Sequence, residues 1–286
     1  MRSGQDQSKL YVVIHSWGKI GSPRTEHDCA KKGWRAQMST QAPHHTTVRL
    51  LGPCCLLVGN NLAQGVPASF FRIAAYLILS PPEQVQARGR LAALFWPNAD
   101  DGKAAANLRQ AVARIRHVQE ENGFTLIQAN NSTLHLAPSD DVYCDLIELS
   151  RHIEGDVVLN PLQLSRIYGG ELLANQDSGG QEFEDWLSSK RNELLLHAVD
   201  GIALGMRPGT RFSQAERSIC ARRLLELDPY REDAVCVLME EAAERRHYAR
   251  VKELYTSMRS VLSNELGVEP SPETRALYTN LMEMVR

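Results

Sequence analysis

Apolar and polar positions along this chain change period repeatedly, and each change predicts a different element. Between Lys103 and Val118, the residues Ala104, Ala105, Leu108, Ala111, Val112, Ile115 and Val118 recur at three- and four-residue spacing. That spacing predicts one amphipathic helix. Just before it, Leu91-Ala-Ala-Leu-Phe-Trp-Pro97 reads as a short apolar helix halted at Pro97, which lacks an N–H and clashes with the turn behind it. Asp100 and Asp101 stand where an N-cap and a first-turn acid are favoured. Trp96 closes the apolar helix and is expected to anchor the turn in the core. Two helices joined by so short a turn predict a helix–turn–helix.

Asn122-Gly123 ends the second helix, and the period then drops to two. Phe124 to Gln128 and Thr133 to Leu136 alternate on either side of the turn residues Ala129-Asn-Asn-Ser132, which predicts a hairpin. Upstream, Thr47 to Leu51 and Cys55 to Val58 read as short strands, and Phe70 to Leu79 as an apolar helix closed by Pro81-Pro82. Strands, three helices and a hairpin in this order predict a winged helix with an extra N-terminal sheet, over residues 46–139. From residue 140 the pattern is helical to the end. Arg211 to Leu227, Glu232 to Arg245 and Tyr248 to Leu266 carry apolar residues at helical spacing, with Asp228-Pro229 and Gly267 as stops. This recurrence is similar to tetratricopeptide repeats. The expected fold is therefore mainly α: a winged helix–turn–helix with small sheets, then an all-α, tetratricopeptide-like domain over 140–286. Residues 1–45 match neither domain. Leu10 to Ile14 could be a strand fragment, but the segment is otherwise polar and turn-rich and reads as a disordered extension, with His44-His45 as ordinary polar residues rather than metal ligands.

Chemistry gathers on one helix. Opposite the apolar stripe lie Lys103, Ala106, Asn107, Gln110, Ala113, Arg114 and His117, with Arg109 and Arg116 on a flank and no acidic residue from Lys103 to His117. The two alanines would let the backbone approach a groove floor. Lys103, Asn107, Gln110, Arg114 and His117 are candidates for base edges, and Arg88, Arg90, Arg109 and Arg116 for phosphates. Arg116 lies near the buried stripe, so an intradomain ion pair competes with that role. The hairpin tip Asn130, Asn131 and Ser132 would touch the DNA backbone or a minor groove. The plainer alternative is a solvated basic face that only keeps the helix wet.

Charge and composition change this picture little. A net charge of −2 over 286 residues excludes a globally basic coat protein, yet a sequence reader can confine its basic surface to one face. No run of roughly 18 apolar residues predicts a membrane span, and the first residues lack the apolar core of a signal peptide. Cys29, Cys54, Cys55, Cys144, Cys220 and Cys236 show no CxxC or metal spacing and read as buried thiols of a reducing cytoplasm. Gly18-Lys19 lacks the rest of a phosphate-binding loop, Gly59 to Gly65 is a plain loop, and no nucleophile–base set is nominated. The expectation is a cytoplasmic protein bound to the nucleoid, with no catalytic residues, cofactor or metal.

Several short strings carry a family resemblance. Leu50-Leu-Gly-Pro53, Arg88-Gly-Arg-Leu91, Phe95-Trp-Pro97 and Asn107-Leu-Arg-Gln-Ala-Val-Ala-Arg-Ile-Arg116 resemble the DNA-binding domain of the antibiotic-regulatory-protein type of bacterial transcriptional activators. Tyr143-Cys-Asp145, Gly169-Gly-Glu-Leu-Leu173, Phe183-Glu-Asp-Trp-Leu187 with Arg191, Leu224-Leu-Glu-Leu-Asp-Pro229, and Glu265-Leu-Gly-Val-Glu-Pro-Ser-Pro272 with Leu277-Tyr278 resemble the family's bacterial transcriptional activator domain. The chain departs from the pattern over Pro67-Ala-Ser-Phe-Phe-Arg72, at Gly89 inside the second helix, and at Arg246, Val251 and Lys252, where Gly, Ala and Leu are expected. The resemblance implies sequence-specific binding to double-stranded DNA, with the helical domain contacting RNA polymerase or a second copy in a homodimer, and no membrane. A helical-repeat adaptor whose winged helix binds protein instead remains the alternative. Salt-dependent binding to duplex DNA separates the two, because phosphate contacts release counterions.

Overall fold

The computed structural model describes residues 45–80, 85–137, 140–174, 176 and 180–284. Leu10 to Ile14, Cys29, His44 and Pro81-Pro82 lie outside them, as does nearly all of the expected extension over 1–45. The described chain forms two compact units, residues 45–159 with 166–197, and residues 160–165 with 198–284. Among the described residues no helix is long and apolar enough to cross a membrane.

In chain order the first unit holds β1 (Thr46–Arg49), β2 (Cys55–Val58), β3 (Asn61–Leu62), α1 (Ala68–Ile78), β4 (Val85–Ala87), α2 (Arg88–Phe95), α3 (Asp101–Glu121), β5 (Ile127–Ala129), β6 (Thr133–Leu136), β7 (Val142–Cys144) and α4 (Asp145–Ile153). Next come α5 (Pro161–Ile167) and α6 (Gln181–Ala203), whose residues are divided between the two units. One sheet has the order β3-β2-β1-β7 and the other β4-β6-β5. In the first, Val48 stands opposite Leu56 in antiparallel β2 and Cys144 in parallel β7. All three are buried, so alternate residues of β1 face the core.

Helix α1 buries Phe70, Phe71 and every residue from Ile73 to Ile78, nearly all the way round, as a core helix must. The stretch from Pro67 to Arg72 that departs from the family pattern is mostly the start of this helix: only Pro67 precedes it, as its N-cap. Helix α3 buries the expected stripe except Ala105, which is half-buried, and adds Gln119. The hairpin differs from expectation at one end. Its first strand begins at Ile127, while Phe124 and Leu126 are buried before the ladder starts, and Phe124 meets Phe70 edge-on at 6.1 Å. A third strand, β4, joins the hairpin with Gln86 opposite Leu134. Its three residues carry too little alternation to be read in advance.

Trp96 does not hold the turn from within the core. It is half-buried, and Phe95, which is 7% exposed, takes the interior place with Trp96 edge-on beside it at 6.1 Å. Around Phe95 gather Tyr76 from α1 at 6.2 Å and Phe183 from the start of α6 at 4.9 Å; Trp186 then stacks on Phe183 at 5.3 Å. Gly180 fits against this turn only because it has no side chain: a Cβ there would stand 2.3 Å from Pro97 Cγ.

The expected boundary at 139/140 cuts through this unit. Strand β7 pairs with β1, and residues 166–197 pack with the winged-helix elements. A backbone clasp accounts for this. Gly52 N–H donates to the Glu171 carbonyl at 2.8 Å, and Leu173 N–H to the Leu50 carbonyl at 2.8 Å. Asp145 accepts from Leu50 N–H (2.8 Å), Leu51 N–H (3.2 Å) and Leu146 N–H (2.8 Å). Arg191 donates from Nε to the Leu172 carbonyl (2.8 Å) and from Nη2 to the Leu173 carbonyl (3.2 Å). The approach is so close that a Cβ on Gly169 would sit 2.5 Å from the Leu51 carbonyl oxygen, and fully buried Leu173 takes a left-handed φ of 54°.

The second unit packs α7 (Gln214–Leu227), α8 (Glu232–Glu244), α9 (Tyr248–Val261) and α10 (Pro272–Glu283) in succession, which is the tetratricopeptide-like array. Ser213 and Glu216 form a capping box at the start of α7. The string from Leu266 to Pro272 is a connector. Gly267 turns left-handed (φ 70°), Glu269 pairs with Arg259 at 2.8 and 3.2 Å, and Ser271 caps α10 while Pro272 occupies its first turn. Arg246 stands between α8 and α9 at φ 58°, a conformation that favours the Gly expected there. The five described cysteines are free thiols, of which Cys55, Cys144 and Cys220 are buried.

Two stability measurements follow from this geometry. Arg246→Gly should raise stability by about 1 kcal/mol by relieving the left-handed backbone, whereas Arg246→Ala should not; equal midpoints for the two variants in chemical denaturation would exclude strain at that turn. Burial pushes the Asp145 carboxyl up to about 7, against its backbone N–H donors and Arg49, which pull it down. Its unfolded value is about 3.9, so between about pH 4 and 7 the folded state holds a proton that the unfolded chain does not. Its contribution is full below that window and is lost as pH rises through it. Asp145→Asn should flatten that slope and cost roughly 1–3 kcal/mol, because an amide N–H₂ then faces a buried backbone N–H. A variant with the parent's pH slope would show that the slope arises elsewhere.

Candidate nucleic-acid interface

Helix α3 starts where the sequence places it. Asp100 accepts the Lys103 N–H at 2.8 Å as N-cap, and Asp101 lies in the first turn. Packing of Leu108, Ala111, Val112 and Ile115 turns the opposite face outward. Lys103, Arg109, Gln110, Ala113, Arg114, Arg116 and His117 are exposed, while Ala106 and Asn107 are half-buried. The candidate side chains therefore share one helix surface, with small residues between the long ones. His117 Nε2 lies 3.3 Å from Glu121 Oε1, so the face free of acid ends at the C-terminal end of the helix. Arg116 does not take the intradomain role that sequence allowed for it. It is exposed and makes no ion pair among the described residues.

The wing stands beside this helix, fixed by a residue that sequence reading missed. Gln119 is 6% exposed, and its Oε1 accepts from Leu126 N–H (2.9 Å) and Ile127 N–H (2.8 Å) while its Nε2 donates to the Ile127 carbonyl (2.9 Å). One amide thus satisfies three backbone groups at the root of β5. Its only sequence signal was a polar residue at a position continuing the apolar stripe. A cleft of about 650 Å³ opens between α3 and the wing, with Arg116, Gln128 and His135 among its lining residues. His135 Nε2 lies 3.3 Å from Gln128 Oε1 on the exposed strand face.

Three candidates have structural duties as well. Arg88 donates from Nη1 to the Asn130 carbonyl at 2.8 Å, which ties the start of α2 to the wing tip. Asn130 Oδ1 accepts from Ser132 N–H (2.9 Å), Ser132 Oγ (3.2 Å) and Thr133 N–H (2.8 Å), so this side chain shapes the turn. Asn131 and Ser132 remain exposed at the tip. Arg90 is paired with Glu182 in the first turn of α6, and hydrogen bonding to that carboxylate holds the guanidinium above its usual pKa range. Gly89 lies at the second residue of α2 with open space around it, in the first turn and not in mid-helix. Among the described residues no group of three or more His, Cys, Asp or Glu could hold a metal ion.

Comparison with known proteins gives a consistent picture. Residues 165–282 match the bacterial transcriptional activator domain. The chain is 24% identical over 251 residues to the transcriptional regulatory protein MoaR1 of Mycobacterium bovis, covering 82% of this chain and 79% of that protein. MoaR1 of Mycobacterium tuberculosis is also 24% identical, over 258 residues. Among solved structures, EmbR of Mycobacterium tuberculosis, in complex with a low affinity phosphopeptide, aligns with a TM-score of 0.50 and 16% identity over 84% of this chain and 65% of that one. That likeness is one of fold. The matched domain begins near residue 165, yet residues 166–197 pack with the winged helix, so its first part is built into the other unit.

Gln119→Ala should leave Leu126 and Ile127 N–H groups buried without partners, at roughly 1–3 kcal/mol for each group lost. Amide hydrogen exchange at those two residues should accelerate before that of the α1 core. Unchanged protection would show that α3 does not hold the wing through Gln119.

Proposed function

We propose, from the premise that the chain belongs with the bacterial transcriptional regulators of the antibiotic-regulatory-protein type, that it reads a specific duplex sequence with α3 in the major groove and activates transcription. The observation that carries this reading is the exposed face of α3, which is long, free of acid from Lys103 to His117, and flanked by a wing. Lys103, Asn107, Gln110, Arg114 and His117 reach base edges, since Gln and Arg offer the paired donors and acceptors that distinguish base pairs there. Arg109 and Arg116, on the flank of the helix, meet phosphates. Arg88 orients the wing tip through Asn130, leaving Asn131 and Ser132 for the neighbouring backbone. An overall charge of −2 fits a protein whose affinity is concentrated on one helix.

The helical array serves protein contact, to RNA polymerase or to a second copy of the chain, because stacked helix pairs present broad concave faces. Two copies on adjacent half-sites would gain affinity through effective concentration.

Replacing Gln110 or Arg114 with Ala should cost about 1–3 kcal/mol on the cognate site and much less on random duplex. Genomic footprinting supplies the site, and titrations on both duplexes supply the comparison. Equal losses on the two would make these residues phosphate contacts and defeat the base-reading assignment.

A further inference from the structure

We propose that Glu182 competes with DNA phosphate for Arg90, so that the first turn of α6 acts as a built-in restraint on DNA binding; this rests on the DNA-binding reading above. Arg90 lies in the first turn of α2, two residues after the arginine that braces the wing tip. Its guanidinium is paired with Glu182 across 92 residues of sequence, and both side chains are about half exposed. The pair stands outside the core and adds little to the stability of the fold. The fold is held close by, through Phe95, Phe183, Trp186 and the tight seat of Gly180 against Pro97. Those contacts fix the α6 start beside α2 whether or not the charges are present. They keep a carboxylate beside a cation that faces solvent.

A phosphate arriving at Arg90 competes with the carboxylate for the guanidinium, whose Nη2 meets Glu182 Oε1. The result is a lower affinity for any duplex, independent of sequence. Lys190 and Glu193, an i,i+3 pair further along the same helix, offer a comparison: Glu193 is exposed enough to mutate without disturbing the core.

The test measures binding of the full chain to a duplex of arbitrary sequence by fluorescence anisotropy over a range of salt. Glu182→Gln should bind about two- to fivefold more tightly, the range set by releasing one exposed ion pair, with a steeper salt dependence as Arg90 gains a phosphate. Glu182→Ala should act in the same direction. Arg90→Ala should weaken binding, and Glu182→Gln added to it should restore less than twofold. Glu193→Gln, which removes the same charge elsewhere on α6, should leave affinity unchanged. Glu182→Gln binding no more tightly than the parent, or Glu193→Gln matching its gain, would overturn the restraint while DNA binding stood. No salt-dependent binding by the parent chain would overturn the DNA reading itself.

Discussion

Much of this protein hangs on the pairing of the Leu50–Pro53 segment with Leu172–Ala174. Extended backbone at the edge of a small sheet presents N–H and carbonyl groups that must find partners when buried. Here the two segments satisfy one another directly, and two side chains complete the work from either side. Asp145 takes the N–H groups of Leu50 and Leu51; Arg191 takes the carbonyls of Leu172 and Leu173. Because the two side chains bond backbone from opposite flanks of one clasp, removing either would leave buried backbone unpaired. This constraint makes residues 166–197 part of the winged-helix unit and puts the start of α6 beside the helix–turn–helix.

From that placement the interface follows. Aromatic rings from α1, α2 and α6 fill the space around Phe95, so the α2–α3 turn is supported on its inner side. Helix α3 then has one face committed to the core and the other left outside. Gln119 holds the root of the wing to that helix, and Arg88 holds the tip to α2. The proposed DNA-reading surface is thus assembled by polar side chains that bond backbone, not by contacts among the exposed basic residues themselves. Such bracing suits recognition, because side chains on a fixed frame lose less freedom on binding.

The sequence made much of the fold legible where periodicity was strong. The α3 stripe, the Asp100 cap, β2 and β6, and α7 to α9 of the array stand where their patterns put them. Legibility failed where an element was too short to show a period, as in β4 and β7, or where a role came from distant partners. Leu50-Leu-Gly-Pro53 and Gly169-Gly-Glu-Leu-Leu173 stand out as strings, yet nothing local reveals that they clasp each other, or that residues 166–197 pack with the winged-helix elements. Trp96 looked like the core aromatic because it stood at the stop, while Phe95 one residue earlier has the inward direction on the helix. For the candidate site, the exposed face was readable from helical geometry. The engagements of Arg88, Arg90 and Asn130 were not, since each depends on a residue 2 to 92 positions away.

The central claim is that the outer face of α3 meets base edges in the major groove. Dimethyl sulfate protection tests it most directly, because the reagent methylates guanine N7 in the major groove and adenine N3 in the minor groove. In a saturated complex on the footprinted site, the account predicts guanine N7 protected across each half-site. Guanines that stay fully reactive at N7 in such a complex would contradict it.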